Sequence, residues 1–394
     1  MNDINYDPVI LTKLLIKCPS ITPKDMGALN IVQKHLEYID FNCFNLNFSE
    51  AGTDDVKNLF ASIGKSNGKH LAFAGHTDVV PIGDINSWKF HPFEGVVSNG
   101  KLYGRGSEDM KGGIACFISA TKKFLDKHKK NFNGKISFII TGDEEKEAIN
   151  GTIKILKWLK EKKIKIDHCI VGEPTSNKII GDKLKIGRRG SINFYLKAKG
   201  VQGHTANSNR AENPVHLLIK FLNTIISEPL DNGNEFFLPS SIQIPTFNVN
   251  NTAANVIPEV ATATINIRYN NKHNAESLQE WLQKHIDNYF SLTDKASCSF
   301  TIDKTGKSFL TKPGFLSKLV SECCREINGL NSNPELATDG GTSDARFIKD
   351  YCEVVELGLI NKTLHQVNEN VKTKDLEQLT NIYLKVLEKY FGLN

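Results

Sequence analysis

Short apolar runs that end in an acid or a histidine recur along this chain, and they constrain its fold more than any other feature. His70–Ala74, Lys135–Ile140, His168–Val171 and Cys352–Leu357 read as buried strands. Just past them stand His76 and Asp78 in GHTDVVP, Glu144 and Glu145 in TGDEEKE, Glu173 in VGEPTS and His365 in LHQVNE; Asp109 stands in GRGSEDMKGG. Open α/β sheets collect their sites beyond the carboxyl ends of the strands, so these side chains are predicted to meet along one edge. Two imidazoles and several carboxylates form a nitrogen/oxygen ligand set suited to zinc or its neighbours. Such a set points to a metal-dependent hydrolase.

Helical segments separate the strands. Ile114, Phe117, Ile118, Thr121, Phe124 and Leu125 keep the i, i+3, i+4, i+7 spacing of an amphipathic helix, and a second helix is predicted over about 151–163 with Ile153, Leu156 and Leu159 inward. Gly112 and Gly113 would let the first helix start close to a neighbouring backbone or ligand. The alternation predicts βαβ units and an α/β fold with a mainly parallel sheet.

The texture changes at Gly190. Ile192, Phe194, Leu196 and Ala198 alternate with polar residues, which predicts a half-buried strand. A helix follows, with Val215, Leu218, Ile219, Leu222, Ile225 and Ile226 on one face. Strands near 242–249 and 260–269, a helix near 275–290 and a strand near 297–303 complete the segment. The order βαββαβ is ferredoxin-like. After Gly306 helices are predicted near 315–328 and 343–350, and a last helix from about Lys374. Because His365 belongs with the ligands before residue 180, the simplest architecture is one catalytic domain, 1–189 with 303–394, interrupted by an inserted domain, 190–302.

At 394 residues two domains are expected. The net charge of +5 comes from 49 basic and 44 acidic residues that are scattered, not gathered into a basic stripe with aromatics, which argues against a nucleic-acid partner. No stretch reaches the ~18 apolar residues of a membrane span. The N-terminus lacks a basic segment and a small-residue cleavage site, and the eight cysteines form no C-x-x-C pair, so a cytoplasmic location with reduced thiols is expected.

Taken singly, each motif has a plainer reading. His76 and Asp78, two apart on extended chain, point to one face, and a carboxylate there suits the second nitrogen of a metal-bound imidazole; an isolated H-x-D is otherwise just a turn. GRGSEDMKGG begins like a phosphate loop but has Asp109 where the third glycine should stand, so the dinucleotide reading fails. A carboxylate on such a loop can bridge two ions. Glu144 and Glu145, adjacent outside a helix, project differently, so one can bind metal while the other acts as a base; DEEKE alone is usually a solvated face.

Together, HTDVVP, GRGSxDMKGG, DEE, GEP and the late histidine resemble the dinuclear-zinc aminoacylase and carboxypeptidase superfamily along nearly the whole chain. VGEPTS, IGRRGSINFYLKAKGVQGHTA, NVIP, TDGGTSDARF and NKTLHQVNE resemble its succinyl-diaminopimelate desuccinylase branch. That resemblance implies removal of succinate from N-succinyl-L,L-2,6-diaminopimelate by a homodimer joined through the inserted domain. A related deacylase or dipeptidase, such as an acetylornithine deacetylase, is the alternative; a catalytically dead metal-binding scaffold is a third reading. It implies two divalent ions per subunit, zinc or its competitors cobalt and manganese. His76 and Glu173 would hold one ion, Glu145 and His365 the other, with Asp109 between them. Asp78 would orient His76, Glu144 would be the base, and His204 would reach a partner's site. Arg188, Ser191, Asn255, Arg268, Gly341, Thr342 and Asn361 fall at substrate-holding positions; arginine suits carboxylates through its bidentate fork. The chain departs from the family pattern at Asn207, Ser208 and Asn209, where Tyr-Pro-His is usual, and at Ala254.

Overall fold

The computed structural model describes residues 4–393 other than 66, 130 and 131, with the side chains of 304 and 305 set aside; the extreme ends of the expected domains and Lys130 therefore lie outside it. The chain forms two compact units. One comprises Met1–Ile186, Thr311–Ala337 and Ser343–Asn394, the other Gly187–Leu310 and Thr338–Thr342.

The first unit is built on an eight-stranded sheet: β1 (Asn42–Phe48), β2 (Val56–Gly64), β3 (Lys69–His76), β4 (Gly134–Thr141), β5 (His168–Val171), β6 (Lys183–Lys185), β7 (Glu335–Ala337) and β8 (Glu353–Glu356), in the order β1-β2-β4-β3-β5-β8-β6-β7. The central strands β4, β3, β5 and β8 run parallel. On one side β2 pairs antiparallel with both β4 and β1; on the other β8 meets β6 antiparallel through Glu356 and Lys185. The sheet is therefore mixed: four of its seven strand pairings are parallel and three, one of them a single residue pair, are antiparallel, which the sequence reading did not foresee. The β1–β2 hairpin was not foreseen, because Asn42, Asn45 and Asn47 dilute the apolar pattern of a strand that lies half in solvent.

Seven of the eight residues of β3 are buried, as a strand covered on both faces requires. A long helix, Lys111–His128, packs on it with Ile114, Phe117, Ile118, Thr121, Phe124 and Leu125 all buried. Phe73 of β3 stacks on Phe117 at 4.4 Å between ring centroids. The helix approaches so closely that a Cβ on Gly113 would stand 2.6 Å from the Gly172 carbonyl oxygen, which leaves glycine as the residue that fits. The helix Thr152–Glu161 buries Thr152, Ile155, Leu156 and Leu159 instead of the expected Ile153, which is 44% exposed. Of the two adjacent apolar stripes on this helix, the one through Ile155 faces the sheet.

The second unit is a four-stranded antiparallel sheet in the order Ser241–Asn248, Val260–Tyr269, Gly190–Lys199, Ser297–Gly306, with helices Pro214–Ser227 and Ala275–Phe290 on one face. This is the ferredoxin-like strand order. Its core gathers Ile192, Phe194, Leu196 and Ala198 with Leu218, Phe221 and Leu222. Phe221 takes an inward place that the sequence reading gave to Ile219 and Ile226, both half exposed. The unit is wider than 190–302. The strand that starts at Ser297 runs on to Gly306, whose carbonyl accepts the Tyr269 hydroxyl at 2.9 Å, and Phe309–Leu310 pairs with Gly187–Arg188. Thr338–Thr342 joins it because Arg188 Nη1 donates to the Gly341 carbonyl at 3.1 Å and Thr338 Oγ1 donates to that of Phe236.

Candidate metal centre

Parallel β3, β4 and β5 all end at one edge of the sheet, and the chemistry gathers there. His76 is the last residue of β3; Glu144 and Glu145 follow β4 and Glu173 follows β5. Asp109 lies just ahead of the helix Lys111–His128, and the Asp109–Met110 peptide is cis. His365 comes from the loop beyond β8 and has a φ of +59°.

The side chains converge. His76 Nε2 lies 3.1 Å from Asp109 Oδ1, 3.6 Å from Glu173 Oε1 and 3.9 Å from Glu144 Oε2. His365 Nε2 lies 3.2 Å from Asp109 Oδ2 and 3.1 Å from Glu145 Oε1. One carboxylate, Asp109, thus offers a different oxygen to each imidazole. A tetrahedral ion with bonds of about 2.0–2.2 Å sets neighbouring donor atoms roughly 3.3–3.6 Å apart. The separations here, 3.1–3.9 Å, suit that spacing, and the donor set of imidazole and carboxylate suits a divalent ion. Among the described residues the groups within ligand reach are His76, Glu144 and Glu173, and His76, Asp109 and Glu145.

The electrostatics agree with a site made for positive charge. Burial and the charge of Glu173 push Glu144 well above the ordinary glutamate range, and burial with the charge of Asp109 lifts Glu145 to about 7. Hydrogen bonds to Asp109 and Glu145 raise His365 to about 10. Burial would lower His76, yet its bonds to Asp109 and Glu173 raise it well above 6.5. Burial opposes ionisation of Asp109, but the two imidazoles outweigh it and hold its carboxyl below the usual range. Four carboxylates around two imidazoles leave excess negative charge, which favours cations.

Asp78 works differently from the sequence reading. His76 Nδ1 donates to the main-chain carbonyl of Asp78 at 2.9 Å, while the carboxylate is 3.6 Å away. The carbonyl therefore fixes the tautomer that leaves Nε2 facing the acids. The Asp78 carboxylate instead accepts the backbone N–H groups of Glu144 and Glu145 at 3.1–3.3 Å, tying that turn to the end of β3.

The expected substrate residues lie mostly in the second unit. Arg188 holds Gly341; Ser191 is the cross-strand partner of both Arg268 and Gly306, and Gly306 lies against Thr342. The five expected positions among them, Arg188, Ser191, Arg268, Gly341 and Thr342, share one neighbourhood. Asn255 sits beside His204, its carbonyl accepting the Thr205 N–H at 3.0 Å, and exposed His204 accepts the Ala206 N–H on Nδ1. Asn361 belongs to the first unit, where its N–H donates to Ser176.

Four residues around the centre carried no role in the sequence reading. Glu108 and Glu369 are buried acids that accept main-chain N–H groups from the His365 and Asp109 loops respectively. Lys111, fully buried, donates to the Cys18 carbonyl at 2.8 Å. Asp344, lifted to about 6 by burial, adds negative charge to the field at Glu144 and Glu173. Glu108 and Asp344 lie inside motifs read from the sequence, Glu108 beside Asp109 and Asp344 two residues after Thr342.

Comparison with known proteins places this geometry. The chain is 45% identical over 389 residues to a succinyl-diaminopimelate desuccinylase of Parvibaculum lavamentivorans, covering 98% of this chain and 96% of that protein. Among solved structures it resembles aminopeptidase PepT from Bacillus cereus, with a TM-score of 0.75, 17% identity and coverage of 98% and 99%. It also resembles the Bacillus subtilis YXEP protein, described as a dinuclear metal binding peptidase, with a TM-score of 0.67, 14% identity and coverage of 98% of both chains. A family model matches residues 72–389, a span that begins inside β3 and takes in every candidate ligand from His76 to His365; the chain belongs to peptidase family M20/M25/M40.

Proposed function

We propose that the chain hydrolyses N-succinyl-L,L-2,6-diaminopimelate to succinate and L,L-2,6-diaminopimelate, a step toward lysine and diaminopimelate, as a cytoplasmic homodimer holding two divalent ions per subunit. The observation that carries the reading is Asp109, with one oxygen toward His76 and the other toward His365. The substrate comes from the near full-length similarity to a desuccinylase.

His76 and Glu173 would hold one ion and Glu145 and His365 the other, with Asp109 shared; zinc fits, with cobalt or manganese able to replace it. When bound, the ions polarise the amide carbonyl and bring the pKa of a water toward about 7. The chain's own groups do the rest. Glu144 takes a proton from the attacking water and returns it to the leaving nitrogen as the C–N bond breaks. Its burial favours the protonated form, which strengthens Glu144 as the base that takes the proton. His204, with Nδ1 engaged by the Ala206 N–H, keeps Nε2–H as a donor and offers it from a second copy of the chain to the tetrahedral oxyanion. Arg188 and Arg268 pair with the substrate carboxylates, and Ser191, Asn255, Gly341, Thr342 and Asn361 complete its cradle.

The test is the initial rate on N-succinyl-L,L-diaminopimelate against N-acetylornithine, with zinc added back to metal-stripped protein. A strong zinc-dependent preference for the succinyl compound is expected. Turnover of the acetyl compound alone would overturn the substrate, and zinc-independent turnover would overturn the metal reading.

A further inference from the structure

Two buried carboxylates outside the proposed chemistry lash together the loop that carries Asp109 and the loop that carries His365. Glu108, 1% exposed, accepts the main-chain N–H groups of Lys362 at 2.8 Å, Thr363 at 2.9 Å and Leu364 at 3.1 Å, and the Thr363 hydroxyl at 2.6 Å. Glu369 reaches the other way and accepts the N–H groups of Gly106 at 3.0 Å, Glu108 at 2.8 Å and Asp109 at 3.2 Å. Each loop thus gives its amides to the other loop's acid.

The two acids differ in what they hold. Glu369 is paired at 2.9 Å with buried Arg105, whose guanidinium also donates to the carbonyls of Gln366 and Pro81. Glu108 takes neutral donors only, and its three amides are consecutive and end at the residue before His365. His365 itself has a φ of +59°, a region that non-glycine residues hold only where their surroundings impose it. His76 and Glu173, in contrast, are delivered by the central strands β3 and β5, buried in the sheet.

We propose that Glu108 is a positioning residue that fixes His365 against Asp109 and so sets the affinity of the ion held by Glu145 and His365, leaving the ion at His76 and Glu173 unaffected. The inference rests on the two-ion reading above. A residue that orients a ligand in this way is typically worth about 10–100-fold in metal affinity.

The experiment is calorimetric titration of zinc chloride into the metal-stripped full-length chain and its Glu108→Ala and Glu108→Gln variants, with circular dichroism as a check on folding. The unsubstituted chain is expected to take two ions. Glu108→Ala should bind the first as before and the second about 10–100-fold more weakly. Glu108→Gln, which keeps one acceptor oxygen and the side-chain volume, should fall between them, and it decides the matter if the alanine variant does not fold. Equal weakening of both ions would mean a general structural role and would overturn the proposal, as would two unchanged affinities. Fewer than two ions in the unsubstituted chain would remove the two-ion reading itself.

Discussion

His70 sets up an acid sensitivity far from the metal centre. Its ring is 5% exposed, between the Lys165 carbonyl, 2.7 Å from Nδ1, and the Ser137 hydroxyl, 2.9 Å from Nε2. The neutral ring satisfies both, donating through Nδ1–H and accepting at Nε2; the imidazolium would leave Nε2 without an acceptor's role and bury a charge. Burial lowers its pKa from 6.5 to about 4, against the pull of the Lys165 carbonyl, with Lys135 adding to the fall. Because the folded pKa lies below the unfolded one, the unfolded chain binds more protons between pH 4 and 6.5, and stability rises with pH across that window. Below about pH 6.5 the folded state loses stability progressively, reaching about 3 kcal/mol near pH 4, since each pKa unit corresponds to about 1.36 kcal/mol. His70→Gln, with a donor and an acceptor but no titration, loses some stability at pH 7 and lacks this acid-dependent loss. Urea unfolding followed by circular dichroism between pH 4 and pH 7 measures it. The other titrating groups are common to both proteins, so the stability difference between them should shift by about 3 kcal/mol in the variant's favour on acidification. A difference that does not change with pH would refute the reasoning.

Glu144→Gln is expected to keep both metal ions, by elemental analysis, while kcat falls about 10²–10⁴-fold, the usual contribution of a general base; near-normal turnover would remove Glu144 from that role. The phase of the helix Thr152–Glu161 can be tested by truncation on its two faces. Ile155→Ala, at a fully buried position, should cost about 2–5 kcal/mol in urea unfolding. Ile153→Ala, at an exposed one, should stay within about 0.5 kcal/mol, and the reverse order would mean that the stripe through Ile153 faces the core.

Of the candidate ligands, His76, Glu145 and Glu173 were legible because each closes or closely follows an apolar run that fixes both the strand and the edge at which it emerges, whereas Asp109 and His365 lie on loops and were legible from their motifs alone. The strand His168–Val171 and the helices Ala275–Phe290 and Phe315–Asn328 have the bounds read from the sequence, since apolar periodicity there admits one burial pattern. Where two apolar stripes lie side by side, as with Ile153 and Ile155 or Ile219 and Leu222, periodicity shows a helix without saying which stripe turns inward; the opposing sheet decides that. Pairing direction was hidden for a similar reason. The antiparallel contact of β8 with β6 rests on one residue pair, Glu356 with Lys185, which leaves no mark in either strand's composition.

Main-chain partners were the least legible of all. Asp78 looked like a carboxylate for His76, yet its carbonyl meets the imidazole and its carboxylate meets the amides of Glu144 and Glu145. Every residue has a carbonyl and nearly every one an N–H, so side-chain identity does not reveal such bonds. Glu108 is the extreme case, because its donors are amides more than 250 positions away along the chain. The ligands of such a centre can be read from side-chain chemistry, while the groups that aim them depend on which backbones the fold brings together. A buried acid adjoining a ligand, with no cation among its donors, is therefore the kind of residue whose role emerges only once the loops are seen in place.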